Sequence, residues 1–424
     1  MTELVIIALI ACALLGAPLF VIFGGVALIL FHAEGIDTSA VMIELYRMAQ
    51  APTLIAIPLF TFAGYLLAET KCPQRMVKLY RSIFGWMPGG IAIVSLIACA
   101  FFTAFTGASG VTIIALGGLL YPILIKERYG ERFTLGLLTT SGSLGLLFPP
   151  SLPLILFAIV AKVNIDALFM AGIIPGTILV VILSLYAIRE GRKAKVERDP
   201  ISLKKFLVAL KDAIWIVPLP FIIIAGIYGG IFTASEAAAV TVVYVLFIEI
   251  FIYRDLKSRT QLWSIASDSM MLVGGILLIL GCAMGFTNYL IDKQVPMHLI
   301  QFVQSHVESK WTFLILLNLL LLVVGCMMDI FSAIIVVVPL ILPIAKAFGV
   351  NPVHLGIIFL TNLEIGYSTP PVGLNLFISS YRFKKPIATL ARSAVPFLLL
   401  MFAALMLITY VPDLSLWLVR MFVK

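Results

Sequence analysis

The sequence predicts an all-α, polytopic membrane protein built as an inverted repeat, each copy holding a re-entrant hairpin and a broken transmembrane helix. Three observations lead there. Of 424 residues, 62% are hydrophobic and 12% charged, with a mean hydropathy of +1.14, whereas a soluble domain carries roughly 25% charged residues. Apolar runs recur at the length a helical crossing needs. A proline-rich motif also returns, with its surroundings, at one fixed offset.

The runs lie at 4–31, 51–69, 166–188, 213–231, 236–253, 268–290 and 387–411, near or above the ~20 residues that cross a bilayer as a helix. Strands of a membrane barrel would be short and alternating instead. The opening run follows Met1-Thr2-Glu3, which lacks a signal peptide's basic stretch, and it outlasts a signal's apolar core. It reads as a retained span with Pro18 as a candidate kink. Two amphipathic pieces flank the spans. In 203–210, Leu203, Phe206, Leu207 and Leu210 follow helical spacing opposite Lys204, Lys205 and Lys211; 74–87 mixes Arg75, Lys78 and Arg81 with Tyr80, Phe84 and Trp86. Both are expected to lie in the membrane interface.

A net charge of +8 could signal nucleic acid, but the basic residues sit in short patches between apolar runs, at 71–81, 126–132, 189–211, 254–259 and 382–385. Positive-inside topology accounts for them and places all five in the cytoplasm, with a cytoplasmic N-terminus and a periplasmic C-terminus. Cysteines 12, 72, 99, 282 and 326 show no metal or redox spacing and read as buried thiols. Histidines 32, 298, 306 and 354 are scattered, so no transition-metal site is expected. No nucleophile–base constellation, phosphate loop or DNA-reading module stands out.

The repeat fixes the architecture. Leu144-Gly145-Leu146-Leu147-Phe148-Pro149-Pro150 resembles Ile365-Gly366-Tyr367-Ser368-Thr369-Pro370-Pro371, and 371 − 150 = 221. The same offset pairs Gly64 with Gly285, Pro122 with Pro343 and Pro175 with Pro396. The stretch after Gly64 is basic and the one after Gly285 is not, and five crossings separate equivalent points if 91–126 does not cross. An odd number turns the second copy over. Residues 91–126 hold two apolar arms around a break at 103–110, with basic clusters at both ends, which suits a re-entrant hairpin. Residues 311–347, broken at 325–332, are its partner entering from the other side.

Pro370 and Pro371 remove two backbone donors, and Gly366 and Gly373 let the chain turn. Both this helix and its twin, at Pro149-Pro150-Ser151-Leu152-Pro153, should therefore break in mid-membrane. Freed carbonyls there suit a cation, and the half-helix N-terminus beyond suits an anion. A proline kink re-satisfied by Ser368 and Thr369 is the plainer alternative for one motif; two equivalent motifs beside two broken hairpins favour a site. Candidate Na⁺ ligands in the second copy are Gly325, Asp329, Ser332, Gly366, Ser368 and Thr369, with Asn362 near. In the first copy they are Gly107, Ser109, Ser141, Ser143 and Ser151, with Thr112 near. Ser109, Pro149, Pro150, Pro370, Pro371 and Asn375 are the candidate substrate contacts. Asp329 serves equally as a helix N-cap for Phe331 or Ser332. Glu364 reads as a scaffold pair and Glu236 as part of a capping box from Thr233, while Asn288 and Asn318 could contact substrate, interhelical hydrogen bonding being the commoner role.

These residues resemble the large membrane subunit of tripartite ATP-independent periplasmic (TRAP) transporters over essentially the whole chain. The resemblance rests on 226–239 (Gly226 through Ser235-Glu236), Thr106-Gly107-Ala108-Ser109-Gly110, Ala115-Leu116-Gly117-Gly118, Phe148-Pro149-Pro150-Ser151, Met328-Asp329 and Ser368-Thr369-Pro370-Pro371-Val372-Gly373. Val111 departs from the small hydroxyl residues that often follow Ser-Gly in that family. The resemblance implies a bacterial inner-membrane protein, not an enzyme, in which a transport unit moves on a scaffold like an elevator. Residues 91–165 and 311–381 would form the transport unit, and 1–90, 166–310 and 382–424 the scaffold. It also implies Na⁺-coupled uptake of an organic anion such as a dicarboxylate, a sugar acid or sialic acid. A separate four-helix small subunit and a periplasmic substrate-binding protein would be partners. The alternatives are a stand-alone divalent-anion/Na⁺ symporter and, from another class, a membrane-embedded enzyme pairing Asp329 with Glu364.

Overall fold

The computed structural model describes residues 19–50, 52–196 and 202–423, and helices are the only regular elements among them. Eight are long and apolar enough to cross a membrane, or up to ten if each of two bent pairs counts as one span. Pro18 and the first part of the opening run lie outside the described residues, and Leu19–Ala33 is helical.

The 221-residue offset reappears in the element bounds. Ser109–Lys126 shifted by 221 is 330–347, and a helix runs over Ile330–Ala347. Cys72–Phe84 shifts to 293–305, where Val295–His306 lies, and Ile165–Lys193 shifts to 386–414, where Ile387–Tyr410 lies. Between equivalent points stand five candidate crossings, at 131–161, 165–193, 203–228, 234–252 and 259–292. An odd count inverts the second copy.

The first hairpin consists of Gly90–Thr106, a break at Gly107 and Ala108, and Ser109–Lys126; the second consists of Lys310–Met327, a break at Met328 and Asp329, and Ile330–Ala347. The two breaks differ in chemistry. Gly107 turns left-handed at φ +63 and returns its N–H to the Thr103 carbonyl at 2.8 Å, a conformation glycine adopts without strain. Met328 is extended, and Asp329 caps the returning arm.

Each broken helix receives its own hairpin's tip. The first comprises Glu131–Ser141, a 3-10 turn at Leu144–Leu147, and Leu152–Ala161, bent by 46°; the second comprises Pro352–Gly366 and Leu374–Phe383. Pro149-Pro150 and Pro370-Pro371 are cis. Gly145 and Gly366 are glycines for closeness: a Cβ on Gly145 would stand 2.2 Å from the Ala100 carbonyl oxygen, and one on Gly366 2.5 Å from the Gly325 carbonyl carbon. A tip seated in the interruption of a spanning helix lies in mid-membrane, so the hairpins are re-entrant.

The copies interlock. Leu152–Ala161 packs on Ile330–Ala347, and Leu374–Phe383 packs on Ser109–Lys126, so each distal half-helix leans on the other copy's hairpin. Phe157 and Phe359 meet at the centre, ring centroids 5.8 Å apart. Outside this body, Ala56–Glu69 packs on Ala234–Phe247 and Arg259–Asp292, and the last also holds Leu19–Ala33 and Ser39–Ala49. Two helices within the expected scaffold ranges 166–310 and 382–424 also touch the inner helices. Ile165–Lys193 and Ile387–Tyr410 pack on the broken helices and each other, and Ile165–Lys193 also on the first hairpin arm Gly90–Thr106, because small residues admit the neighbouring backbone there. A Cβ on Gly172 would meet the Leu147 carbonyl oxygen at 1.9 Å, and one on Gly136 the Ser393 carbonyl oxygen at 2.2 Å.

Both amphipathic pieces are helices, Cys72–Phe84 and Leu203–Ala213, and they lie side by side. Thr233 and Glu236 form the expected capping box. Cys72, Cys99, Cys282 and Cys326 are buried free thiols; Cys12 lies outside the described residues. Buried His354 sits against the Ser415 hydroxyl at 3.1 Å and the Thr409 carbonyl at 3.3 Å, a satisfied core histidine.

Candidate functional site: two helix breaks on one axis

In the second copy, the Asp329 carboxylate accepts the amides of Phe331 and Ser332 at 3.1 Å each, together with the Ser332 hydroxyl. The N-cap role is therefore observed. The Tyr367 hydroxyl accepts the Ile330 amide across the break, and Gly373 donates its amide to the Cys326 carbonyl at 2.9 Å. Thr369 bends its hydroxyl back onto the Ile365 carbonyl at 2.8 Å. Gly325 lies against Leu363 and Gly366 and serves packing. Pro370 and Pro371 are exposed, ahead of the N-terminus of Leu374–Phe383.

In the first copy, hydroxyls crowd around Gly142. Thr103 donates to the Gly142 carbonyl, and its oxygen lies the same 2.7 Å from the Thr112 hydroxyl. A Cβ on Gly142 would be 3.3 Å from the Ser109 carbonyl oxygen, so Ser109, Ser141 and Ser143 gather at the end of Glu131–Ser141. Gly107 faces Leu152, beside Ser151. Pro149 and Pro150 are buried here, unlike their exposed twins, so the two breaks occupy different environments.

The breaks meet. Asn375 donates its amide group to the Thr139 carbonyl at 3.3 Å and the Ser368 hydroxyl at 3.4 Å, and Thr139 donates to the Ser379 hydroxyl at 3.0 Å. The Ser143 hydroxyl reaches the Glu364 carbonyl at 3.5 Å, and 364 − 143 = 221. A residue in contact with its own repeat counterpart lies on the axis relating the copies.

Polar atoms left over at this junction are oxygens. Asn375 Oδ1 and both carboxylate oxygens of Glu364 are buried without a hydrogen-bond partner, as is Ser151 Oγ at the first break, an expensive arrangement unless something else satisfies them. Oxygen-only donors suit a hard cation. Glu364 has no scaffold partner for its carboxylate, in contrast to the pairing expected of it. The helix C-termini ending at Ser141 and Gly366 add partial negative charge, and the N-termini at Leu152 and Leu374 add partial positive charge. Among the described residues, no three His, Cys, Asp or Glu side chains cluster to hold a metal.

Asn318 and Asn362 stand apart, with Asn362 donating to Asn318 Oδ1 at 2.7 Å and Asn318 to Thr409 at 3.3 Å; they join helices rather than line a break. Asn288 is half-buried on Arg259–Asp292. Thr103 and Tyr367 were not singled out from the sequence, yet each closes a hairpin onto its broken helix. Beyond the membrane core, Glu131 at the start of the first broken helix bonds Lys385 at 2.6 Å and Tyr121 at 3.0 Å, and these bonds, the Lys385 one foremost, hold its carboxyl below the usual range.

Paired hairpins seated in paired broken helices, across a polytopic helical membrane fold, are an arrangement characteristic of secondary transporters. Residues 5–414 match the family model of the tripartite ATP-independent periplasmic transporter, DctM component, and the chain belongs to that family. It is 34% identical over 394 residues, 93% of this chain and 92% of the relative, to the C4-dicarboxylate TRAP transporter large permease protein DctM of Pseudomonas aeruginosa. It is 33% identical to the isethionate TRAP transporter permease protein DctMQ of Oleidesulfovibrio alaskensis, covering 96% of this chain and 68% of that longer one. In fold it is similar to the Alcanivorax borkumensis YdaH transporter, described as having an unusual topology, with a TM-score of 0.60 at 15% identity over 89% of this chain and 87% of that one.

Proposed function

We propose that this chain is the permease subunit of a Na⁺-coupled uptake system for an organic anion, most simply a carboxylate. The observation that carries the reading is the set of buried, unpartnered oxygens on Glu364 and Asn375, on the elements that meet where the two broken helices cross, and on Ser151 at the first break. Sodium would be held by oxygens at the two breaks: Asp329, Ser332, Ser368 and Thr369 with the Gly325 and Gly366 carbonyls on one side, and Ser109, Ser141, Ser143 and Ser151 with the Gly107 carbonyl on the other. The anion would sit at the half-helix N-termini, near Asn375 and the proline pairs. The named relatives transport C4-dicarboxylates and isethionate, both organic anions.

The partners would be a small membrane subunit and a periplasmic substrate-binding protein that delivers the anion, in the bacterial inner membrane with the N-terminus inside and the C-terminus outside. The extra length of the isethionate relative is room enough for a fused small subunit. The inner body of hairpins, broken helices, Ile165–Lys193 and Ile387–Tyr410 would move against the outer helices as an elevator.

Proteoliposomes holding both membrane subunits test this. Substrate should accumulate only with an inward Na⁺ gradient and the loaded binding protein outside. Uptake by this chain alone would refute the tripartite reading, and uptake indifferent to Na⁺ would refute the coupling.

A further inference from the structure

The interfacial helices Cys72–Phe84 and Leu203–Ala213 border an open cavity of about 740 Å³ whose lining includes none of the residues at the breaks. Among the described residues, four cations line it, Lys78, Arg81, Lys204 and Lys205, against one acid, Asp212. The Arg81 guanidinium is fixed by Glu127 at 2.8 Å, so among the described residues four positive charges face two negative ones, leaving 4 − 2 = +2. Ser82 and Ser202 add hydroxyls to the lining. The rim is apolar and exposed: Ile83, Trp86 and Val208 stand out of the protein beside the cations, and Leu203 and Leu207 continue the same surface.

A free phosphate would use the cations and waste the apolar rim; an acyl chain would use the rim and waste the cations. We propose that this cavity is a binding site for the phosphodiester headgroup of an anionic phospholipid, whose chains lie over Ile83, Trp86 and Val208. Its position suits that ligand, because both helices belong at the membrane interface on the basic side of the spans. The cations meet the phosphate oxygens, Trp86 sits at headgroup depth, and a bound lipid ties Leu203–Ala213 to Cys72–Phe84, which itself packs on the first hairpin arm.

The test uses the full chain in detergent micelles. Retention of phosphatidylglycerol is counted by native mass spectrometry, and its effect on melting is compared with phosphatidylcholine, glycerol 3-phosphate and inorganic phosphate. The wild type should retain phosphatidylglycerol selectively and melt higher with it. Lys78→Ala, Lys204→Ala and Lys205→Ala remove exposed side chains and leave the fold intact; each should weaken binding roughly fivefold at low salt. Asp212→Asn should tighten it, which keeps the test independent of the lysine variants. Equal retention of phosphatidylcholine, full protection by either soluble phosphate, or unchanged lipid binding in the triple lysine variant would overturn the proposal.

Discussion

Asp329 allows a structural role to be separated from an ionic one. Its carboxylate accepts two backbone amides at 3.1 Å and the Ser332 hydroxyl. Asparagine caps a helix about as well as aspartate, so Asp329→Asn should keep the cap, whereas Asp329→Ala loses it at about 1 kcal/mol, reaching ~2 at most. A negative charge at a helix N-terminus adds about 0.3–1 kcal/mol, which bounds the cost of Asp329→Asn without sodium. The sodium term is read by linkage: an ion at roughly 100 times its Kd stabilises by about 2.7 kcal/mol, and each tenfold loss of affinity removes ~1.4 kcal/mol of that. Melting is therefore followed as NaCl replaces choline chloride at constant ionic strength. In choline, Asp329→Asn should melt close to the wild type; as sodium rises, it should fall behind by at least one tenfold step in affinity. Should Asp329→Asn gain as much from sodium as the wild type, with Asp329→Ala merely offset downward, the carboxylate is a cap and its ionic assignment is wrong.

Gly366→Ala brings a Cβ to 2.5 Å from the Gly325 backbone, 0.9 Å inside the 3.4 Å of ordinary contact (3.4 − 2.5), and should destabilise by about 1–3 kcal/mol or more. Gly274→Ala, with nothing within 4 Å, should stabilise by roughly 0.5–1 kcal/mol; equal melting temperatures for the two would discredit the tip-in-break packing. Glu364→Leu removes a buried, unpartnered carboxyl and should raise the melting temperature, by about 1–3 kcal/mol of stability, while Na⁺-driven uptake falls. A lower melting temperature would mean that the acid has a stabilising partner in the membrane. The Glu131–Lys385 bond lowers the Glu131 carboxyl from 4.5 and raises the Lys385 ammonium from 10.5. Its stabilisation is thus complete between those values, is lost in acid as pH falls through the lowered carboxyl value, and is lost in base as pH passes the raised ammonium value. Lys385→Ala should flatten the acid limb of the melting profile, and an unchanged acid limb would show that the bond is not felt.

The parts of this fold that were legible are those written in backbone chemistry. Proline pairs and glycines mark the breaks because they remove donors and permit close approach wherever they fall, and the 221-residue offset carried each mark from one copy to the other. Asp329 was readable as a cap because its partners are two and three residues away. Thr103 and Tyr367 were not readable. Their partners, Gly142 and Ile330, lie 39 and 37 residues off, and the repeat is silent, since Val324 and Leu146 stand at the equivalent positions. Each copy fastens its hairpin in its own way. The placement of Ile165–Lys193 and Ile387–Tyr410 with the inner helices was hidden for another reason: an apolar helix looks the same whichever body it joins, and only Gly172 and Gly136, on the facing surfaces, mark the choice.

The contact between Ser143 and Glu364 bears on ancestry. Had two identical chains once formed this pairing, position 143 of each would have faced its own image, and an acid there would have set two carboxyls against each other in a dry seam. A single chain carrying both halves is free of that restriction: here a hydroxyl at 143 stands opposite the main chain of an acid at 364, and the seam holds one carboxyl instead of two that must share a proton.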